Sequence, residues 1–121
     1  MYNEILSLEK KFFSYNYISD KNWLEQILHD DFIECGESGL LSDKQDTVMS
    51  LLQCKQDRKI SIYNYDCCQI DRKSWIVHYV TLSAENKKYF RMSIWVDQDG
   101  LRLYYHQATL LNMEIKRLKE I

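Results

Sequence analysis

At 121 residues the chain can bury about two-thirds of the surface it exposes when unfolded, enough for one hydrophobic core and too little for a second domain. Its composition, 45% apolar and 28% charged with nine tyrosines and three tryptophans, excludes a disordered chain and requires that many bulky rings be housed in a core or around a cavity. A formal net charge of −2 argues against nucleic acid as a partner, and no apolar run approaches the about 20 residues of a membrane span, so a soluble cytoplasmic protein is expected.

From Asn3, read as an N-cap, Ile5, Leu8, Phe12 and Tyr15 recur at helical spacing, with Leu6, Glu9 and Phe13 widening the stripe. This predicts a first helix of about four turns. A second cap signal at Ser19-Asp20 opens a short helix with Trp23, Leu24, Ile27 and Leu28 apolar, ending near His29-Asp30. The period then changes to two. Residues 31–36 read as a short strand, with Phe32 and Glu34 on one face and Ile33 and Cys35 on the other. A loop leads to Ser42-Asp43-Lys44-Gln45, which reads as a capping box built from Ser42 and Gln45, and a third helix follows with Val48, Leu51 and Leu52 inward.

The remainder is rich in β-formers. Residues 59–70, 73–83, 89–96 and 101–110 predict four consecutive strands, the last two a hairpin, in an antiparallel meander. The tail, residues 112–121, is predicted to cap at Asn112 and form a short C-terminal helix whose apolar side needs a docking surface, which a second subunit could supply. Three helices on one face of a strongly bent antiparallel sheet make an α+β cone with an apolar mouth between the first helix and the sheet.

The four cysteines, Cys35, Cys54, Cys67 and Cys68, fall in no metal-ligand spacing, and adjacent Cys67 and Cys68 could bridge only with strain. Free thiols in a reducing compartment are expected. The three histidines add no ligand cluster, so neither a metal nor another cofactor is expected.

Three segments carry a resemblance: LHDDFIECGESGLLSDK (28–44), YFRMSIWV (89–96) and DGLRLYYHQATLL (99–111). They resemble the nuclear transport factor 2-like superfamily, in particular the branch known as domain of unknown function 4440, close to the SnoaL-like polyketide cyclases and the ketosteroid isomerases. The first is similar to that branch's Asp-Phe-x-Glu-x-Gly-x-x-Gly pattern and the second to its Arg-x-Ser-x-Trp strand. The third is similar to its final strand, with Leu101 in place of the usual tryptophan, Ala108 in place of glycine and Leu110 in place of proline. The resemblance implies a single cone-shaped, cystatin-like domain over residues 1–121 and a homodimer. That superfamily hosts enzymes, binding proteins and assembly modules, so fold alone does not assign the chemistry.

The resemblance marks Glu34, which shares its strand face with Phe32, and is expected to place it near a pocket opposite Arg91. Paired with Arg91, Glu34 is a charge-neutral structural link; unpaired, it could act as a base. The Arg91 fork can hold a ligand carboxylate or phosphate, or Glu34 itself. Trp95 either completes the core or stacks a ligand, Ser93 is small and hydrogen-bonded, and Tyr15 is expected as a pocket wall because the first helix closes the cone in the superfamily.

His106 and Gln107 cannot share a face on a regular strand, and the turn before them decides which joins Arg91. A two-residue turn at Asp99-Gly100 sets Ser93 opposite His106 and Trp95 opposite Tyr104; a three-residue turn with a glycine bulge sets Arg91 opposite Gln107. With its near-neutral pKa, His106 is the acid–base candidate. The run 55–59 reads as a solvated charged face. Three functions follow: a pocket for a small apolar or acidic molecule, a cofactor-free acid–base enzyme in which Glu34 or His106 moves the proton, or a homodimeric interaction module with Tyr63, Tyr65, Tyr79 and Tyr105 in its interface.

Overall fold

The apolar stripe at the start of the chain does not continue as one helix. In the computed structural model, which describes residues 1–114 and 119–121, α1 (Tyr2–Lys11) ends where two successive residues, Phe12 and Phe13, are both buried. The carbonyls released there are taken up by one residue: Arg58 Nη1 donates to Phe12 O at 3.1 Å and the Arg58 backbone N–H to Phe13 O at 2.9 Å. A one-turn α2 (Tyr15–Ile18) follows, and Asp20 caps α3 (Lys21–Ile27) by accepting from the Trp23 N–H at 3.2 Å.

The chain passes from α3 directly into β1 (Leu28–Cys35), earlier than the sequence pattern suggests, because buried Leu28 already pairs with Leu103. A short β2 (Leu41–Asp43) returns antiparallel and pairs Ser42 with Glu34. Ser42 is therefore extended strand, and the capping box of α4 (Lys44–Leu52) moves one residue on: Asp43 accepts from the Asp46 N–H at 2.9 Å and Asp46 from the Asp43 N–H at 3.2 Å.

The meander is as expected, with β3 (Ile60–Asp71), β4 (Ser74–Ser83), β5 (Lys88–Asp97) and β6 (Leu101–Leu111) paired antiparallel in succession. The sheet order is β2-β1-β6-β5-β4-β3, and β1 lies parallel to β6. The sheet is thus mixed rather than wholly antiparallel. No hairpin joins β1 to β6, so no turn imposes an antiparallel register there.

The β5–β6 turn combines the two alternatives drawn from the sequence. Three residues, 98–100, make the turn, with Asp99 at φ 55° and Gly100 at φ 104°, so that Trp95 pairs with Leu103. The register then shifts past Tyr104, and Ser93 faces His106. The bulge lets Leu103 and His106, an odd number of residues apart, both point to the concave face.

The tail settles on the free edge of β3 in the same chain. Asn64 N–H donates to Lys119 O at 2.8 Å, Ile121 N–H donates to Ile62 O at 2.9 Å, and Glu120 bridges to Tyr63. Residues 112–114 and 119–121 are not helical, and residues 115–118 of the expected C-terminal helix lie outside the described residues. The docking surface it needed is an edge strand of its own sheet. Among the described residues no helix is long and apolar enough to cross a membrane.

The core lies between the helices and the concave face, where Ile5, Leu24, Phe32, Val77 and Trp95 are fully buried. The whole is an α+β cone. Because Asp43 rather than Ser42 caps α4, Asp43→Ala is expected to destabilise the protein by about 1 kcal/mol and Ser42→Ala by less than half of that. Urea unfolding of the two variants checks this; equal losses would place the cap at neither residue alone.

Candidate functional site

Arg91, Ser93 and Trp95 alternate along β5 and all point into the concave face, where each meets a polar partner from another element. Trp95 Nε1–H donates to Glu9 Oε2 at 2.7 Å, and the Tyr79 hydroxyl donates to the other oxygen of the same carboxylate. Glu9 is only 2% exposed. Its burial raises the pKa above the ordinary carboxylate value, opposed by hydrogen bonding from Tyr79, Ser93 and Trp95 and by the Arg91 charge.

One turn of the pleat further along, Ser93 Oγ lies 2.9 Å from His106 Nδ1, and Arg91 Nη1 lies 3.4 Å from His106 Nε2. A guanidinium only donates, so Nε2 accepts and the His106 proton sits on Nδ1, directed at Ser93. Arg91 Nε donates to Thr81 Oγ1 at 2.8 Å. The arginine is held from two strands, and its guanidinium lies 5.1 Å from the Phe13 ring and 5.3 Å from the Tyr89 ring.

Of these groups Glu9, Phe13, Tyr79, Arg91 and His106 border a cavity of about 230 Å³. Phe12, Phe32, Leu51 and Leu103 give it an apolar body, and Glu9 and Tyr79 lie along one wall. Glu34, Cys54, Arg58 and Arg91 border both this cavity and an outer groove past Tyr89 and Glu37, so they form its mouth. At the edge of that groove the Tyr89 hydroxyl donates to Glu37 Oε2 at 2.8 Å.

Arg58 stacks over Phe13 at 4.8 Å, on the ring that Arg91 also meets. Burial, and then the Arg91 charge, lower the Arg58 pKa from its ordinary value. Among the described residues neither guanidinium lies within 4.0 Å of a carboxylate. The structural Glu34–Arg91 link is therefore absent. Glu34 Oε2 instead sits 4.0 Å from His106 Nε2, and its pKa is raised by burial against the charges of Arg58 and Arg91.

No protein-family profile matches this sequence, and no curated protein sequence does. Solved structures do match. An NTF2-like protein from Cytophaga hutchinsonii superposes with a TM-score of 0.74 at 21% identity, covering 90% of this chain and 97% of its own. The chain is similar also to an NTF2-like protein of unknown function in nutrient uptake from Rhodospirillum rubrum (TM-score 0.70, 16% identity, 91% and 95% covered). A cystatin-like fold protein from Burkholderia xenovorans gives a TM-score of 0.65 at 12% identity, with 88% and 91% covered. The fold is nuclear transport factor 2-like.

Within this nuclear transport factor 2-like cone, Glu34, Phe32, Arg91 and His106 of the residues marked from sequence line the cavity. Ser93 and Trp95 lie behind its wall as the supports of His106 and Glu9. Tyr15 does not line it: α1 ends at Lys11, so Tyr15 leaves the helical stripe and is 40% exposed on α2. Gln107 does not either, because the Tyr104 bulge turns it to the outer face, where it accepts from the Tyr105 hydroxyl at 2.7 Å.

Three contributors escaped the sequence reading. Arg58, placed there in a solvated run, lines the cavity; Tyr79, placed in an interface together with Tyr65, is buried within the chain, as Tyr65 is. Glu9 carried a signal, a carboxylate inside an apolar stripe. Among the described residues no group of three or more His, Cys, Asp and Glu is placed to hold a metal.

Burial first, then the charges of Arg91 and Arg58, push the His106 pKa down to about 3. The folded protein thus takes up this proton less readily than the unfolded chain, whose histidine titrates near about 6.5. Its stabilising effect is complete above about pH 6.5 and is lost as pH falls from there toward 3, a loss on the order of a few kcal/mol. His106→Asn is expected to be less stable at pH 7 but to lose less between pH 7 and pH 4. Urea unfolding at each pH measures it, and equal losses in both proteins would remove His106 as the origin.

Proposed function

We propose that the cavity binds a small molecule with an acidic group on an apolar body. The observation that carries this reading is the pair Arg58, partly buried, and Arg91, buried, two guanidinium groups converging on one cavity mouth with no carboxylate of the described residues within 4.0 Å. Two like charges held over the same Phe13 ring repel each other, and a ligand carboxylate between them relieves the repulsion. The size supports a single-ring or short-chain compound, since about 230 Å³ falls below the about 300 Å³ at which drug-sized pockets begin.

An acid–base reaction in the same cavity is the second reading, and its geometry favours Glu34 over His106. His106 spends Nδ1–H on Ser93 and Nε2 on Arg91, so it positions the arginine and has no free nitrogen for a substrate proton. Glu34, at the mouth with burial raising its pKa, is the group that can take a proton. This reading accords with the resemblance of segments 28–44, 89–96 and 99–111 to the SnoaL-like and domain of unknown function 4440 branch.

Association as a homodimer belongs to the same proposal. The face of the sheet away from the cavity carries half-exposed Phe90, stacked on His78 at 5.8 Å, and Ile70 is exposed near the end of the edge strand β3. Four unbridged cysteines fit the reducing compartment expected from the sequence. Sedimentation equilibrium is expected to return twice the chain mass; a monomer at tens of micromolar would remove the dimer.

The binding test is a panel of small monocarboxylates, benzoate, phenylacetate and hexanoate, each against its neutral amide, by titration calorimetry. At least one acid is expected to bind about tenfold or more tighter than its amide, and Arg58→Gln or Arg91→Gln to abolish that preference. Equal binding of acids and amides would overturn an acidic ligand.

A further inference from the structure

Glu34 and the two arginines share one cavity mouth and yet do not pair. Each is held in place by its own supports. Glu34 is fixed on β1 between Ser42 of β2 and His106 of β6, whereas Arg91 donates to Thr81 and His106, and Arg58 to the Phe12 carbonyl. Both guanidinium groups stand more than 4.0 Å from the Glu34 carboxylate. Opposite charges held apart in this way are open to a molecule that carries both charges on neighbouring atoms.

These groups are within a ligand's reach. The Glu34 side chain is 34% exposed and borders both the cavity and the outer groove, as both arginines do. Arg58 Nη2 and Arg91 Nη2 make no hydrogen bond among the described residues, and neither is closed off from solvent, since Thr47 Oγ1 alone among those residues is a buried side-chain nitrogen or oxygen without a partner.

Glu34 is also the carboxylate left without a donor. Glu9, on the cavity wall, accepts on both oxygens from Trp95 and Tyr79, and Glu37 at the groove edge accepts from Tyr89. The one basic group within 4.0 Å of Glu34 among the described residues is the His106 imidazole. That ring accepts from Arg91 at Nε2, so it is neutral and gives Glu34 neither a charge nor a proton. A ligand seated at the mouth takes solvent away from Glu34, and the carboxylate then needs a donor from the ligand itself. A charged donor bonds a carboxylate more strongly than a neutral one, which favours an ammonium over a hydroxyl.

We propose that the ligand is an α-amino acid with an apolar side chain, its carboxylate between Arg58 and Arg91, its ammonium on Glu34 and its side chain in the cavity against Phe12, Phe32, Leu51 and Leu103. This rests on the acidic-ligand reading above and names the class of acid. The three contacts surround one tetrahedral carbon, so the site distinguishes the two enantiomers.

The test is titration calorimetry on the wild-type protein and Glu34→Gln. Phenylalanine and leucine, each as both enantiomers, are compared with their deamino analogues, 3-phenylpropanoate and 4-methylpentanoate, and with the corresponding 2-hydroxy acids. In the wild type one enantiomer of at least one amino acid is expected to bind about tenfold or more tighter than its deamino analogue, and tighter than its hydroxy analogue. In Glu34→Gln that advantage falls to about one or below, while the deamino acid binds as well as before or better, because a repelling carboxylate is gone. The wild-type comparison reads the ammonium contact even where the variant does not fold. Deamino or hydroxy acids that bind as tightly as the amino acids, equal binding of the two enantiomers, or an advantage that survives in Glu34→Gln overturns the amino-acid assignment and leaves the acidic-ligand reading standing. Failure of every carboxylate to bind overturns both.

Discussion

One buried carboxylate holds the first helix to the sheet. Glu9 cannot be left unpartnered at 2% exposure, and its two oxygens are taken by donors from two different strands, Tyr79 of β4 and Trp95 of β5. Hydrophobic burial would press α1 against the sheet in many registers, whereas these two bonds admit one. That register carries Phe12 onto Trp23 and Trp95 and brings Phe13 beneath both guanidinium groups. The termination of α1 after Lys11, the use of Arg58 to absorb the freed carbonyls and the position of the cavity mouth all depend on where Glu9 is pinned.

From Glu9 the polar groups run outward in one direction. Trp95, Ser93 and Arg91 occupy successive inward positions of β5, and their partners change from a carboxylate through a hydroxyl-bonded imidazole to an aromatic sandwich. The neutral His106 is suited to its place: a protonated ring would add a third positive charge beside Arg91 and Arg58, which is why these charges and burial act in the same sense on its pKa. Imidazole can accept from Arg91 on one nitrogen and donate to Ser93 on the other, which few neutral side chains of that size can do.

How much of this was legible in the sequence follows from how local each signal is. The alternation of Arg91, Ser93 and Trp95 is a period-two pattern within one strand, and the meander follows from four such segments separated by turns. The choice between His106 and Gln107 was not legible, because the bulge falls on Tyr104 and a tyrosine carries none of the backbone freedom that marks a glycine bulge. The parallel pairing of β1 with β6 joins segments at opposite ends of the chain with no turn between them to fix their sense. Arg58 sits in a run of charges whose pattern is that of a solvated loop, and only the ending of α1 far upstream draws it in to a partly buried place on the cavity wall. Glu9 stood within an apolar stripe, and a charged residue there is the kind of local conflict that marks a built polar site.

The same criterion separates the two halves of the cone interior. Around Glu9, Trp95, Ser93 and His106 every polar group described has a partner, and the region is finished by the chain itself. At the mouth the account stays open: among the described residues two guanidinium groups lack a carboxylate within 4.0 Å, and Glu34 has only the His106 imidazole at that distance. These unmatched groups all border one apolar cavity rather than being scattered through the fold. Scattered, each would be an isolated destabilising defect; gathered, they are the groups on which the proposed binding of one small polar-ended molecule rests. On the proposed function such a molecule would bind the folded chain and not the unfolded one, so its free energy of binding would add to the stability of the fold in proportion to the logarithm of its concentration. The incompleteness of the site and the marginal stability of a domain this small would then be two sides of one design, in which ligand occupancy supplies the contacts that the sequence leaves unmade.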